Sequence, residues 1–270
     1  MKLQNVAVLG AGNMGSAIAT GILNAAIVPP HQLTVSDLRS ELLEPFGEKG
    51  CPVTSDAAQA AQTADVWILA VKPQGMETLF EAVRPFSAGR LVISIAAGVS
   101  VATLEASLPG AAVVRVMPNT PMMIGKGVSA MCCGTGVSPE EKEFAERLFS
   151  CAGSTFWCDE ALLNPMTALT SSSVAYFARL IADMCAWAKN NGFLEYDDAT
   201  VTRLVCETAI GSAGLILERQ MDPNALVRAV ASPNGTTERA LAVFDGRDLD
   251  GTISTAMDAC LRRADELSGH

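Results

Sequence analysis

A glycine-rich turn near the N-terminus constrains this chain more than any other feature. The apolar residues 5–9 predict a short buried strand, Gly10-Ala-Gly-Asn-Met-Gly15 follows it directly, and an alanine-rich helix begins at residue 13. In such a strand–turn–helix unit the first glycine permits the tight turn, the second lets the backbone approach a pyrophosphate, and the third lets the helix pack close to the strand. Free amide groups at the helix start favour phosphate. The pattern predicts a dinucleotide site at Gly10, Gly12, Asn13, Met14 and Gly15.

The next strand, residues 33–36, ends in Asp37, which lies 22 positions after Gly15. A carboxylate at this place holds a ribose 2′-hydroxyl and favours NAD, whereas Arg39 and Ser40 just beyond it suit the 2′-phosphate of NADP. Asp37 also suits the cap of a following helix. The cofactor's phosphate state stays open at this point, and NADPH and NADH are the two alternatives.

Three further apolar strands alternate with helical stretches, which predicts a mainly parallel sheet covered on both faces. These strands are residues 66–71, 91–95 and 113–116. Ligands of such sheets bind beyond the carboxyl ends of the strands. There the chain has its least ordinary loops, Lys72-Pro-Gln74, Ala96-Ala-Gly98 and Met117-Pro-Asn-Thr-Pro121.

The chain changes character in its second half, where only residues 153–157 predict another strand. The remaining segments are helical, with long helices at residues 159–189 and 197–217 and shorter ones at 222–231, 237–244 and 253–267. We therefore expect an α/β Rossmann domain at residues 1–158 and an all-α domain at residues 159–270. Small residues on the helix faces favour close packing, including packing between subunits.

Two hydroxyl-rich segments lie in this helical half. Residues 167–173 contain five Ser or Thr residues in seven positions, and Ser232-Pro-Asn-Gly-Thr-Thr237 forms a turn at a helix start. Free amides at that helix start suit a carboxylate ligand, but simple capping by Thr236 or Thr237 explains the same residues. Ser and Thr hydroxyls within a helix also commonly donate hydrogen bonds to backbone carbonyls of the preceding turn.

Composition excludes several classes of function. The net charge of −10 and the pI of about 4.7 disfavour a nucleic-acid partner. No run of about 18 apolar residues predicts a membrane span, and the N-terminus lacks a basic-then-apolar leader, so we expect a cytoplasmic protein without a membrane partner. The eight cysteines include no Cys-x-x-Cys pair and the chain has two histidines, His31 and His270, which disfavours a metal site. Most of the cysteines are expected to be buried thiols in a reducing compartment.

The scarcity of histidine also narrows the chemistry. A carbonyl oxygen needs a proton as hydride arrives, which His, Tyr or Lys commonly supplies. An iminium nitrogen already carries its proton, so an imine reductase mainly needs to position donor and acceptor. The sequence favours imine reduction over ketone reduction.

Several motifs together resemble the pyrroline-5-carboxylate reductase family over nearly the whole chain. They are Gly10-Ala-Gly-Asn-Met-Gly15, Ala70-Val-Lys-Pro-Gln74, Ser94-Ile-Ala-Ala-Gly98, Val116-Met-Pro-Asn-Thr-Pro121, Thr167-Ala-Leu169 and Ser232-Pro-Asn-Gly-Thr-Thr237. The resemblance implies a Rossmann domain, a helical domain that interlocks in a homodimer or a larger ring of dimers, and hydride transfer to C5 of a cyclic imine.

The resemblance also implies roles for individual residues. The substrate carboxylate would be held by Ser232, Gly235, Thr236 and Thr237, with Thr237 near the ring nitrogen as the catalytic residue. Asn119 and Thr167 would also contact the substrate. The cofactor would contact the glycine turn, Asp37 and Arg39. It would also contact residues in the loops after the later strands, namely Ala70, Val71, Lys72, Pro73, Ala97, Gly98, Asn119 and Pro121.

The sequence departs from the family pattern at two places. The family usually has Ser-Gly-Ser-Gly-Pro-Ala-Tyr after Thr-Ala-Leu, where this chain has Thr170-Ser-Ser-Ser-Val-Ala-Tyr176, and Asn234 replaces a glycine. The first departure leaves two alternatives: a paralogue acting on another cyclic imine, such as a piperideine carboxylate, and a non-catalytic cofactor-binding regulator. A hydroxyacid dehydrogenase is disfavoured because residues 167–187 contain no lysine to serve as its base.

Overall fold

The computed structural model describes residues 4–268 and contains one eight-stranded sheet. The strands are β1 Val6–Leu9, β2 Leu33–Ser36, β3 Val53–Thr54, β4 Val66–Leu69, β5 Leu91–Ser94, β6 Ala112–Met117, β7 Gly127–Cys133 and β8 Gly153–Trp157. Their order in the sheet is β3-β2-β1-β4-β5-β6-β7-β8, and only the pairing of β6 with β7 is antiparallel. The chain thus runs outward from β1 to β3 and then crosses to β4, which makes the gap between β1 and β4 the switch point where such sheets bind ligands.

Helices cover the sheet, and the described chain after β8 contains helices without further strands. They are α1 Asn13–Asn24, α2 Glu44–Gly47, α3 Ala57–Thr63, α4 Met76–Val83, α5 Val101–Ser107, α6 Pro139–Ser150, α7 Leu163–Met166, α8 Ser173–Lys189, α9 Asp198–Glu218, α10 Pro223–Val230, α11 Thr236–Gly246 and α12 Leu249–Ser268. The predicted fold class, a mainly parallel α/β sheet followed by a helical region, is confirmed.

Both faces of the sheet are buried, which explains the unbroken apolar strands. On β1, Val6 and Val8 join a core with α1 and α6, whereas Ala7 and Leu9 join a second core with α3, α4 and α5. Successive strand residues point to opposite faces, so a strand covered on both sides needs an apolar residue at every position.

Two strands were absent from the sequence prediction. β3 has two residues, and β7 lies between β6 and β8 with the sequence Gly127-Val-Ser-Ala-Met-Cys-Cys133. Neither shows a clear period of two, and the pairing of β7 depends on partners that no local pattern encodes.

The segment 159–189, which we predicted as one long helix, is helical over nearly its whole length but is not a regular α-helix. It consists of a 3₁₀ turn at Glu160–Leu162, the short α7, a π-helical segment at Thr167–Ser171 and α8. Pro165 has no amide hydrogen to continue a regular ladder, and the amide of Ser172 donates to the carbonyl of Thr167, five residues back, at 2.8 Å.

The chain forms two compact units. The first runs to Ser172 and includes the chain again from Cys260, and the second is Ser173–Ala259. The boundary that we expected after residue 158 stays a prediction. In the second unit α9 is, by length and composition alone, apolar enough to cross a membrane, although the sequence has no uninterrupted run of about 18 apolar residues. One such helix is weak support for a membrane span, because a helix buried in a protein assembly has the same properties.

The expectation that most cysteines are buried is wrong. Only Cys51 and Cys132 are buried, Cys133 is exposed, the other five are half-buried, and all eight are free thiols. Burial, with the nearby Glu160 carboxylate, raises the pKa of the Cys132 thiol to about 12, so this thiol stays protonated and unreactive.

An ion pair between the buried Arg115 and the half-buried Glu160 ties the helical segment after β8 to the sheet. Arg115 on β6 is 4% exposed, and its Nη1 donates to Glu160 Oε1 at 2.8 Å. The same oxygen accepts the amide of Val101, the first residue of α5, at 2.8 Å. The Nε and Nη2 atoms of Arg115 are buried and have no partner among the described residues. Glu160 is therefore the carboxylate that makes burial of this guanidinium tolerable.

Replacing Glu160 with Ala should lower the free energy of unfolding by about 3 kcal/mol, because it leaves the Arg115 charge buried and unpaired. Urea denaturation at a fixed protein concentration measures the change. Glu207→Ala, which breaks the exposed Arg203–Glu207 pair, is the control and should cost no more than about 1 kcal/mol. Equal effects of the two substitutions would contradict this account.

Candidate functional site

The glycine turn has the geometry that its sequence predicts. Gly10 has a φ of +109°, and a side chain there would lie 2.8 Å from the carbonyl oxygen of Ala70, at the end of the neighbouring strand β4. A side chain at Gly15 would overlap the carbonyl oxygen of Gly10. Only glycine fits these two positions, because one combines positive φ with close backbone approach and the other lets α1 pack directly on the turn.

Gly12, by contrast, is not required by steric crowding, because a side chain there would contact nothing within 4 Å. It is the N-cap residue of α1 and has no side chain to accept from the first amide groups of the helix. Open space over free amides at a helix start suits a phosphate group. The residues present therefore fit the dinucleotide that the sequence predicts.

A cavity of about 850 Å³ opens at this end of the sheet, next to the switch point. Predicted residues that line it are Gly10, Gly12, Asp37, Arg39, Ala70, Val71 and Lys72. Other lining residues escaped the sequence analysis, namely Leu38, Ser55, Asp56, Ala57, Gly75, Thr78, Leu79 and Ala82. Leu38 follows β2, residues 55–57 follow β3, and the others lie at the start and on one face of α4. A spacing of four between Thr78 and Ala82 was available in the sequence, but only the packing of α4 shows which face meets the cavity.

Asp37 is engaged by the protein itself. One carboxylate oxygen accepts the amide of Ala11 at 2.8 Å, and the other accepts the amide and the Nε of Arg39 at 3.0 and 3.1 Å. Burial raises the pKa of Asp37, but the hydrogen bonds from Arg39 and Ala11 outweigh it and hold the pKa below its ordinary value. The ionised carboxylate thus braces the glycine turn, and the Arg39 side chain, 58% exposed, lies beside it at the mouth of the cavity.

The loops after β4 and β5 are shaped by backbone contacts. Ala70 donates its amide to Leu9 at 2.8 Å and carries the carbonyl that Gly10 approaches, and Pro73 begins a 3₁₀ turn. Gly98, in the loop after β5, has a φ of +76°. Pro73, Ala97 and Gly98 do not line the cavity described above.

Asn119 is buried just beyond β6, and both polar atoms of its side chain form a hydrogen bond within the protein. Its Oδ1 accepts the amide of Val128 on β7 at 2.8 Å, and its Nδ2 donates to the carbonyl of Thr170 at 3.0 Å. A ligand contact from this side chain would have to use the second amide hydrogen or the second lone pair. Pro121 lies in the 3₁₀ turn that follows.

Thr167 opens the π-helical segment, and its hydroxyl donates to the carbonyl of Leu163 at 2.9 Å. The Ser171 hydroxyl donates to the carbonyl of Pro118 at 3.1 Å. The segment in which the sequence departs from the family pattern is therefore hydrogen-bonded to the Pro118–Asn119 loop. Irregular helices of this kind are frequent at functional sites.

In the second unit, Ser232–Thr237 forms the predicted turn at a helix start. Asn234 has a φ of +59° and its amide donates to Glu238 Oε2 at 2.7 Å, which fits the left-handed geometry expected of the glycine it replaces. Gly235 is the N-cap of α11 and has no side chain to accept from the first turn, and a side chain there would overlap the Ser232 hydroxyl. Thr236 and Thr237 are the first two helical residues, so capping by their side chains does not account for this turn.

Comparisons with known proteins agree with this geometry. Residues 160–267 match a family model described as pyrroline-5-carboxylate reductase dimerisation, and residues 5–98 match one described as NADP oxidoreductase, coenzyme F420-dependent. The pyrroline-5-carboxylate reductase of Pseudomonas aeruginosa is 36% identical and covers 99% of this chain and 98% of its own length. The pyrroline-5-carboxylate reductase of Pasteurella multocida is 35% identical, and the match covers 99% of this chain and 98% of that protein.

A solved structure shows the same architecture along the chain. The pyrroline-5-carboxylate reductase of Coxiella burnetii superposes with a TM-score of 0.90 at 30% identity, and 99% of each chain is covered. Sequence and structure agree over the full length, so this chain belongs to the pyrroline-5-carboxylate reductase family.

Proposed function

We propose that this protein reduces 1-pyrroline-5-carboxylate to L-proline with a reduced nicotinamide dinucleotide, the last step in making proline. The observation that carries the proposal is the match to a reductase of that name over 99% of the chain. The scarcity of histidine supports it independently, because imine reduction needs no histidine acid.

The cofactor is NADPH, with NADH as the alternative, and when bound it supplies a hydride to the imine carbon. The free amides of α1 and the open space at Gly12 receive its pyrophosphate. Val71 and Lys72 flank the cavity next to Ala70. Ala97, Gly98 and Pro121 are assigned to the nicotinamide end because they match the family's motifs.

The substrate carboxylate binds at the start of α11. The first amide groups of α11 are not capped by a side chain, because the N-cap residue is Gly235. The hydrogen bond from the Asn234 amide to Glu238 holds the turn at residues 232–237 rigid. A carboxylate at a helix N-terminus is favoured by these amides and by the helix dipole. Thr237 contacts the ring nitrogen and orients it, while Asn119 and Thr167 are further substrate-contact residues by family position.

The helical unit provides the surface of a homodimer or of a larger ring of dimers. Residues 160–267 match a dimerisation model, and α8 exposes Phe177, Leu180, Met184 and Trp187 at helical spacing. Such an apolar stripe is costly in water and marks an interface between chains. We place the enzyme in the cytoplasm, without a nucleic-acid or membrane partner.

The function is tested with purified protein, 1-pyrroline-5-carboxylate, and NADPH or NADH, by following the loss of reduced-nicotinamide absorbance and identifying proline as product. A six-membered piperideine carboxylate is the comparison substrate, because residues 170–174 differ from the family pattern. Turnover of the six-membered ring alone would support the paralogue. Folded, nucleotide-binding protein that reduces neither ring would contradict the proposal.

Thr237→Ala should lower kcat/KM for the imine about 10-fold or more, because it removes a hydrogen bond to a charged group. The Kd for the nucleotide, measured by fluorescence titration, should stay near that of the wild type. Thr208→Ala, on the exposed surface of α9, is the control and should change neither value. Unchanged kcat/KM in Thr237→Ala would show that the substrate site is misassigned.

Asp37→Asn should raise the ratio of kcat/KM for NADPH to that for NADH about 10-fold, because it removes the carboxylate that would bind the ribose hydroxyl and repel a 2′-phosphate. Asparagine keeps an oxygen to accept the Ala11 amide, and Arg39 loses its ionic partner. Glu48→Gln, an equal change of charge at an exposed site, is the control. A constant ratio would mean that Asp37 only braces the glycine turn.

Phe177→Glu should shift the protein from dimer to monomer at micromolar concentration, because it places a charge in the apolar stripe. Light scattering coupled to gel filtration measures the mass. Arg179→Ala, on the same helix and 78% exposed, is the matched control and should stay dimeric. Retention of the dimer in both variants would remove α8 from the proposed interface.

A further inference from the structure

The last turn of α12 packs against the loop that follows β5. Gly98 in that loop comes so close to it that a side chain there would lie 2.7 Å from the carbonyl oxygen of Leu267. Gly98 also has a positive φ of +76°. Both features require glycine, so the conformation of the loop depends on where the last turn of α12 lies.

Asn164 holds that turn in place. Its Nδ2 donates to Asp265 Oδ1 at 2.8 Å and to Ser268 Oγ at 3.2 Å, while the Ser268 hydroxyl donates to the carbonyl of Ala264 at 2.8 Å. The two hydrogen bonds from Asn164 span about a hundred positions of sequence and lie in a partly buried place. One side chain on α7 thus binds one residue on each side of Leu267, namely Asp265 and Ser268.

The other end of the loop is held independently. Glu160 accepts the amide of Val101, where α5 begins, and is itself paired with the buried Arg115. The loop between β5 and α5 is therefore fixed at one end by Glu160 and in its middle by the last turn of α12. Both restraints come from the helical segments that follow the sheet in sequence.

We propose that the last turn of α12, fixed by Asn164, is a positioning element that sets the Ala97–Gly98 loop at the nicotinamide. The inference rests on the proposed function, which assigns this loop to the nicotinamide end. Hydride transfer depends steeply on the placement of donor and acceptor, and a displacement of about 1 Å can cost about 100-fold in rate. Asn164, Asp265 and Ser268 thereby act on the reaction without touching the substrate.

An exchange of the amide and the carboxylate between positions 164 and 265 tests the proposal. Asn164→Asp sets two carboxylates against each other and removes the donor, so it should free the last turn of α12. Asp265→Asn keeps an oxygen for the Asn164 amide and should resemble the wild type. The double variant, N164D with D265N, restores one donor and one acceptor in reversed order. It should therefore hold the last turn of α12 in place as the wild type does. Arg263→Ala, which breaks an exposed ion pair on the same helix, is the control.

Two measurements are made on all variants. Hydrogen–deuterium exchange of the segment 95–100 in nucleotide-free protein should rise in N164D alone and return in the double variant. The kcat should fall about 10- to 100-fold in N164D while the Kd of the nucleotide stays near wild type, and should recover in the double variant. A purely structural defect would instead raise exchange throughout the sheet and lower the Tm in step with kcat.

Unchanged exchange of segment 95–100 in N164D, or an unchanged kcat, would overturn the proposal, as would failure of the double variant to recover. Should N164D not fold, Ser268→Ala removes only the hydroxyl contacts and is measured in the same way. If the wild type fails to reduce the imine, the proposed function fails, while the exchange measurement still decides whether α12 positions the loop.

Discussion

The rest of the nucleotide-binding unit depends on one close approach, that of the Gly10 backbone to the end of β4. Gly10 combines a φ of +109° with a neighbouring carbonyl 2.8 Å from the place of a side chain, and Gly15 brings α1 onto the same turn. Because β1 and β4 are neighbours at the switch point of the sheet, this contact puts the amides of α1 over the carboxyl ends of β1, β2 and β4. Asp37 completes the arrangement by accepting the Ala11 amide at 2.8 Å.

Later parts of the chain hold the remaining loops at that edge of the sheet. Glu160 joins the buried Arg115 to the start of α5, Asn119 joins β7 to the carbonyl of Thr170, and Asn164 fixes the end of α12 beside Gly98. Each is a polar side chain with partners far along the sequence. Such groups are costly to bury unless paired, so each pairing ties its loop to one specific place.

Prediction succeeded where a residue's conformation depends on its immediate neighbours. The glycine turn and the turn at Ser232–Thr237 are of this kind, since φ, capping and helix starts are local properties. It failed for β7, whose strand conformation depends on pairing with β6 and β8, and it missed the π-helical segment within the helical residues 159–189. The outer part of the cavity, with Thr78 and Ala82, also escaped because the orientation of α4 is a tertiary property.

By itself the sequence determined the class of the fold and the type of ligand, because unbroken apolar strands require a sheet covered on both faces and a Gly-x-Gly-x-x-Gly turn requires close backbone approach. Only the tertiary structure decided that Asp37 braces the turn, that Asn119 is used as a linker, and that Gly98 meets the carbonyl of Leu267. These contacts join residues separated by tens to more than a hundred positions. Their geometry follows from the packing of whole elements and from no pattern within one of them.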